Sequence, residues 1–192
     1  QLTKSWEDGR KDFDKYLAGV SNVLIEQIDN LSTIASEFSN FAKMPVAIIE
    51  EVDLIQVIQK AMELFEGNKN HDISFHTELK TATISADREQ ISRVFINMIK
   101  NAMQSIPENR KGEIELETAE TQEFYRVKIS DNGKGIPDEI KPKLFMPNFT
   151  TKTSGMGLGL AIVRNILDST GAIITFDTEL GKGTTFILDF PK

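Results

Sequence analysis

Two asparagines and one aspartate have the residue types and the spacing of a ligand-binding site. Asn97 and Asn101 lie four residues apart, so on a helix they share one face. Their amide oxygens are neutral ligands of the kind that Mg²⁺ accepts beside phosphate groups. Asp131 follows an alternating apolar segment and precedes Gly133 and Gly135. An ionised carboxylate only accepts hydrogen bonds, so Asp131 is suited to bind an amino group, and the two glycines let the backbone come close to a ligand.

A second glycine cluster has the features of a phosphate site. Gly155, Gly157 and Gly159 come just before a predicted helix at 158–167, and backbone amides at a helix N-terminus bind phosphate well. The spacing is neither that of the dinucleotide fingerprint nor that of the P-loop. Lys152, shortly before the cluster, is the cation best placed to meet a terminal phosphate. Any one glycine pair is consistent with an ordinary turn, so the prediction depends on the clusters occurring together.

Composition excludes several classes of function. The 192 residues suffice for one domain plus an appendage, and a net charge of -7 argues against nucleic-acid binding. Without cysteine there is no disulfide, thiolate metal site or cysteine nucleophile. No apolar run approaches the roughly 20 residues that cross a bilayer. We therefore expect a cytoplasmic fragment that contacts neither nucleic acid nor membrane.

Most of the first forty-odd residues are predicted to form one long helix. Its apolar residues recur with spacings of three and four, which is typical of a helix that packs against a partner helix; they are Phe13, Leu17, Val20, Leu24, Ile28, Leu31, Ala35, Phe38 and Ala42. Pro45 ends the helix because the residue before a proline is disfavoured in the α region. Upstream of it, the segment 1–6 predicts the tail of another helix and 7–12 the turn between them. We expect residues 1–44 to be the C-terminal part of a dimerisation hairpin.

Residues 45–192 predict an α+β domain with a mainly antiparallel sheet covered by helices. Strands are predicted at 48–54, 72–79, 83–86, 113–119, 124–129, 172–177 and 184–190. Helices are predicted at 54–65, from an Asp87 cap to Met103, and at 158–167.

In order and separation, four stretches resemble the N box, first glycine box, F box and second glycine box of the GHKL ATP-binding superfamily. They begin at Asn97, Asp131, Leu144 and Gly155. Within that superfamily the sequence is similar to sensor histidine kinases, and 25–42 resembles the second dimerisation helix of the nitrogen-regulation type. The resemblance implies a Bergerat-type two-layer sandwich over 45–192 that binds ATP with Mg²⁺.

The resemblance also implies a set of site residues. Asn101 would bind Mg²⁺, and Asn97, Asn101 and Lys152 would be catalytic. The nucleotide contacts would be Asn97, Asn101, Asp131, Gly133, Gly135, Ile136, Phe149, Thr151, Lys152, Gly155, Gly157, Leu158, Gly159, Leu160 and Thr184. Residues 136–154 would form a lid anchored by Phe145 and Phe149. Two positions that are often basic in the family hold Thr150 and Gln104, which leaves the γ-phosphate contact to Lys152, with Lys100 as a second candidate.

The reaction is predicted from Asn97. GHKL hydrolases have a water-activating glutamate at this position, and an amide is no general base, whereas a neutral imidazole is itself a nucleophile. His71 and His76 lack the phosphoacceptor context of sensor kinases, so we expect the acceptor upstream of Gln1. The fragment should then not phosphorylate itself. The parent protein would carry a sensory part, with an inner-membrane anchor as one option, and would relay phosphate to a response regulator receiver domain. The alternatives are a GHKL ATPase of another branch and a non-enzymatic nucleotide-binding or dimerisation module.

Overall fold

A computed structural model describes residues 16–28, 32, 46–147, 149–150 and 157–192. The chain divides into two compact units, Gln1–Met44 and Pro45–Lys192.

Residues 16–28 and residue 32 are helical, in agreement with the predicted long helix. Two members of the predicted apolar stripe, Leu24 and Ile28, are 53% and 62% exposed. The continuation to Ala42, the end at Pro45 and the segment before Tyr16 lie outside the described residues. No helix among the described residues has the length and apolar character to cross a membrane.

The described part of the second unit contains seven strands in two sheets. The strands are β1 (Glu50–Asp53), β2 (His71–Thr77), β3 (Thr83–Ala86), β4 (Gly112–Glu120), β5 (Phe124–Asp131), β6 (Ile173–Glu179) and β7 (Gly183–Pro191). A small antiparallel sheet pairs β1 with β3, and a five-stranded sheet has the order β2-β4-β5-β7-β6. Only the β2–β4 pair of this large sheet is parallel, so the prediction of a mixed, mainly antiparallel sheet is confirmed.

Among the described residues of this unit, three helices pack together, and two of them lie against the large sheet. They are α1 (Leu54–Glu63), α2 (Arg88–Ser105) and α3 (Gly159–Ser169), and a short 3-10 helix lies at Lys141–Lys143. Alternate residues of β4 are buried, and α2 packs against β4, β5 and both other helices. The largest fully buried side chains are Phe95, Phe190, Leu54, Ile58, Ile91, Met98, Ile99, Ile114, Leu116, Ile129, Ile166 and Leu167.

Aspartates fix the starts of α1 and α2. Asp53 Oδ1 accepts hydrogen bonds from Ile55 N and Ala82 N, both over 3.1 Å. Asp87 Oδ1 accepts from Gln90 N over 3.0 Å, as predicted for an N-cap, and its Oδ2 accepts from Ile48 N over 2.8 Å. The second cap therefore also holds the segment that leads into β1 and so helps to orient α2, which carries the two asparagines.

Candidate functional site

One face of α2 carries a polar stripe at intervals of four residues: Asn97, Asn101 and Ser105. All three are half-buried and border the buried face of α2, which Val94, Met98 and Ala102 help to form. Asn97 Nδ2 donates to the carbonyl oxygen of Arg93 over 2.8 Å. That bond fixes the amide plane, so the Asn97 oxygen points away from the helix backbone.

The start of α3 lies against this stripe. A β-carbon on Gly159, the first residue of α3, would be 3.2 Å from Asn97 Oδ1 and 3.7 Å from Asn101 Nδ2. Leu158 is buried, and the N-terminus of α3 has no side-chain cap. The first amides of α3, those of Gly159 and Leu160, therefore begin beside two carboxamides. Amides at a helix start and side-chain amides together suit an anion with a bound cation.

Asp131 lies at the end of β5, directly opposite Thr184 of β7. Its Oδ1 accepts two hydrogen bonds of 2.8 Å, one from Ser105 Oγ and one from the amide of Gly133. Gly133 is buried, and a β-carbon there would collide with Ser105 Oγ. The carboxylate is thus oriented from α2 and from its own loop.

Thr184 belongs to a hydroxyl network behind Asp131. It is 5% exposed, and its Oγ1 lies 3.0 Å from Thr178 Oγ1. Thr178 Oγ1 in turn accepts from the amide of Ile136 over 2.9 Å. Gly135 has a φ of +72°, and a β-carbon there would collide with the backbone of Glu179. The first glycine loop therefore packs against the β6–β7 hairpin. Only glycine fits at position 135 of that loop, because of its positive φ and its contact with Glu179.

The segment between the two glycine clusters is anchored by aromatic contacts. The ring of Phe145 packs at 6.1 Å from that of Phe176, and the Arg164 guanidinium lies 5.9 Å from the Phe145 centroid. Phe149 is half-buried, and a β-carbon on Gly157, which has a φ of +66°, would collide with the Phe149 backbone. Phe149 of the predicted lid thus packs against Gly157 of the second glycine cluster. Thr151, Lys152 and Gly155 lie outside the described residues.

Three residues that the sequence analysis did not select belong to this arrangement: Ser105, Arg110 and Thr178. Ser105 had a detectable signal, since it continues the spacing of Asn97 and Asn101 by one more turn. Arg110 and Thr178 had none, because their contacts join segments that are distant in sequence.

Both histidines lie in β2, away from the glycine clusters in sequence. His71 Nδ1 is 3.1 Å from Asn68 Oδ1 and His71 Nε2 is 3.2 Å from Met103 O. His76 Nε2 is 3.5 Å from Glu115 Oε1. Both side chains therefore have polar partners within the fold.

Comparison with known proteins identifies the family that the sequence resembles. Residues 86–192 match the family described as histidine kinase-, DNA gyrase B-, and HSP90-like ATPase. The sensor histidine kinase ZraS of Escherichia coli K12 is 31% identical over 90% of this chain and 37% of its own length. The sensory histidine kinase/phosphatase NtrB of Rhizobium meliloti is 30% identical over 97% of this chain and 51% of its own length. The chain therefore spans between about a third and a half of these two relatives.

Solved structures of histidine kinase ThkA have the same fold. Its catalytic domain aligns with a TM-score of 0.68 and 36% identity over 76% of this chain and 96% of that domain. ThkA in complex with the response regulator protein TrrA aligns with a TM-score of 0.73 and 29% identity over 95% of this chain and 52% of ThkA. The expected Bergerat-type fold and the resemblance to nitrogen-regulation kinases are thereby confirmed. The chain belongs to the histidine kinase-, DNA gyrase B- and HSP90-like ATPase family and, within it, to the catalytic domains of sensor histidine kinases.

Proposed function

We propose that this chain binds Mg·ATP between α2 and α3 and transfers the γ-phosphoryl group to a histidine on a helical hairpin. The observation that carries the proposal is the approach of Gly159 to Asn97 and Asn101. It joins the start of a helix, where phosphate binds well, to two amides of the kind that hold Mg²⁺. Asp131, which ends β5 beside Ser105 at the end of α2, supplies a separate acceptor for the base.

Asp131 is proposed to read the base. As a carboxylate it accepts a hydrogen bond from the 6-amino group of adenine. Guanine has an oxygen at that position, and two buried acceptors facing each other cost about 1–3 kcal/mol. Gly133, Gly135 and Ile136 form the loop beside this carboxylate, and Thr184 supports it from β7. We predict that a water molecule links Thr184 to Asp131.

The residues around the phosphate position supply neutral amide groups suited to phosphate and to a divalent ion. Asn97 Oδ1 and Asn101 Nδ2 border one point, the position of a Gly159 β-carbon, and a larger residue at 159 would fill it. Asn101 is proposed to hold Mg²⁺, which supplies charge neutralisation of the phosphates. The amides of Gly159 and Leu160, with Gly155, Gly157 and Leu158 around them, would bind the phosphate oxygens. Lys152 would meet the γ-phosphate, while Phe149 and Thr151 would close the lid.

Asn97 favours transfer to histidine over hydrolysis. Its amide nitrogen is engaged by Arg93 O, and an amide oxygen is too weak a base to activate water. A neutral imidazole needs no such base: its nitrogen lone pair forms the new bond to phosphorus. The electron pair of the breaking P–O bond stays with ADP, and the imidazole releases its other proton to solvent. The protein contributes positioning and charge stabilisation.

Residues 1–44 are proposed to be the C-terminal part of a dimerisation hairpin, and 45–192 the ATP-binding domain. The division of the chain at Met44 and the exposed Leu24 and Ile28 support this, because an exposed apolar stripe on a helix favours a partner. The parent protein would be a homodimer. It would pass phosphate to a receiver domain, and the complex of ThkA with the response regulator protein TrrA supports that partner. This part of it would work in the cytoplasm, without contact to nucleic acid or membrane.

The test is phosphoryl transfer in trans. Labelled ATP and Mg²⁺ are incubated with this chain and with a separate hairpin that carries the phosphoacceptor histidine. We expect acid-labile label on the hairpin, none on the chain itself, and loss of transfer with Asp131→Asn. Steady ATP hydrolysis without label on the hairpin would favour a GHKL ATPase of another branch. ATP binding with neither activity would favour a non-enzymatic module.

A further inference from the structure

The loop that follows β5 is tied to the end of α2. We call residues 131–135 the base loop. Besides the bond from Ser105 Oγ to Asp131 Oδ1, the carbonyl oxygen of Ser105 accepts from the amide of Lys134 over 3.1 Å. One residue of α2 therefore holds the base loop through its side chain and its backbone.

The Asp131 carboxylate is fixed by two donors on one oxygen. Ser105 Oγ and Gly133 N approach Oδ1 from different segments, both at 2.8 Å. Ser105 Oγ also lies 2.7 Å from the carbonyl oxygen of Ala102, but a hydroxyl has a single proton to donate. Donation to an ionised carboxylate is the stronger choice, because charge-assisted hydrogen bonds are about twice as strong as neutral ones.

Arg110 holds the same loop from the other side. Its Nη1 donates to the carbonyl oxygens of Asn132 and Gly133 in the base loop and, over 3.2 Å, to that of Gly181 in the β6–β7 turn. The amide of Gly181 donates back to Lys134 O over 2.9 Å. The backbone around Asp131 is thus held by bonds that do not involve the Ser105 hydroxyl, so loss of that hydroxyl should release the carboxylate more than the loop.

We propose that Ser105 is a positioning residue that holds the Asp131 carboxylate in the orientation that reads the 6-position of a purine. This inference rests on the proposed function, in which Asp131 accepts from the 6-amino group. A carboxylate that is already oriented loses little conformational freedom when the base binds. Without Ser105 the group would rotate more freely, and the advantage of a 6-amino purine over one without that group would fall.

The experiment compares two ligands on matched variants by calorimetry with Mg²⁺. The ligands are ATP and purine riboside 5′-triphosphate, which lacks the 6-amino group. The variants are Ser105→Ala and Ser169→Ala, with Asp131→Asn as reference. Ser169 is the control because its Oγ makes the same type of bond to a carbonyl three residues earlier, Ile166 O at 2.7 Å, at the end of α3. Urea unfolding of both serine variants checks that they are folded.

We expect Ser105→Ala to weaken ATP binding roughly tenfold, the effect of losing one hydrogen bond to a charged group. The analogue should change far less, so the ratio of the two affinities falls, while Ser169→Ala leaves both unchanged. A purely structural role would weaken both ligands equally, and that result, or unchanged ATP binding, would overturn the inference. If the unaltered chain binds no ATP, or Asp131→Asn binds it equally well, the proposed function fails first and the inference with it.

Discussion

Asn97 and Gly159 belong to different helices, and the Asn97 amide oxygen lies 3.2 Å from the point where a β-carbon on Gly159 would be. At that separation a β-carbon on residue 159 would make a tight contact, and Asn97 would have to shift by a few tenths of an ångström to admit it. The absence of a β-carbon at 159 therefore lets the start of α3 lie against the polar face of α2 with Asn97 in its present position. Both segments were selected from the sequence for their residue types, and the structure brings them into contact.

Gly159→Ala should impair nucleotide binding with little effect on folding. The new methyl group would displace the Asn97 amide and occupy the point between the two carboxamides that the nucleotide is proposed to use, so we expect a roughly tenfold rise in the Kd for Mg·ATP, or about 1.4 kcal/mol. The backbone at Gly159 has no positive φ, so alanine is tolerated there by the helix itself. Calorimetry and thermal unfolding measure the two effects.

The matched control for that variant is Gly19→Ala. Gly19 is also helical, and a β-carbon on it would meet no atom of the described residues within 4 Å. Gly19→Ala should leave the Kd for Mg·ATP unchanged. Equal Kd values for both variants would mean that the nucleotide does not use the contact between α2 and α3.

Lys152→Gln should affect ATP more than ADP. If Lys152 meets the γ-phosphate, its removal costs a charge-assisted contact that ADP never makes, so the affinity for ATP should fall roughly tenfold while that for ADP stays nearly constant. Lys192→Gln is the control, because Lys192 pairs with Glu120 over 2.8 Å at the far end of β7. Parallel losses for ATP and ADP would remove Lys152 from the γ-phosphate site.

Asp87→Ala should destabilise the ATP-binding unit in a pH-dependent way. Burial alone would raise the pKa of Asp87, but hydrogen bonds from the amides of Gln90, Ile48 and Glu89 outweigh it and lower the pKa below its usual value. Loss of the cap should lower the free energy of unfolding at pH 7 by about 0.5–2 kcal/mol. Urea denaturation of the variant and the unaltered chain measures this difference.

The sign of the pH effect follows from the lowered pKa of Asp87. A carboxyl whose pKa is lower in the folded state adds stability above its unfolded pKa, about 3.9, and loses it as the pH falls through the folded value. The difference between the two proteins should therefore be full at pH 7 and shrink below about pH 4. Asp87→Ser, which keeps an acceptor for Gln90 N, should show a smaller loss. A difference that grows on acidification would contradict the assignment.

Much of the fold could be predicted because its signals are local. The strand at Thr83–Ala86 has the bounds predicted from the sequence, and the Asp87 cap was predicted from one residue and the first turn that follows it. The pairing of strands was harder to predict. β2 runs parallel to β4, with α2 between them in sequence. Alternation shows which face of a strand is buried but not which strand lies beside it.

The candidate site was predictable where residue types are unusual for their position. Asn97 and Asn101 are half-buried amides beside the apolar face of α2, and Gly133 and Gly159 mark close approaches of the backbone. The support around Asp131 was not predictable, because the bond from Ser105 spans 26 residues and that from Arg110 to Gly181 spans 71. Such contacts depend on how β5 and β7 pair beside α2, which no local pattern specifies.

The most direct test of ATP binding is calorimetric titration of ATP and GTP, each with Mg²⁺, into this chain and into Asp131→Asn. We predict that ATP binds, that GTP binds at least roughly tenfold more weakly, and that the substitution lowers ATP affinity by a similar factor. Asparagine retains the shape of the side chain, so a loss would come from replacing an acceptor by a donor. Binding of neither nucleotide, or equal ATP affinity in both proteins, would contradict the proposal that Asp131 reads adenine in a working ATP site.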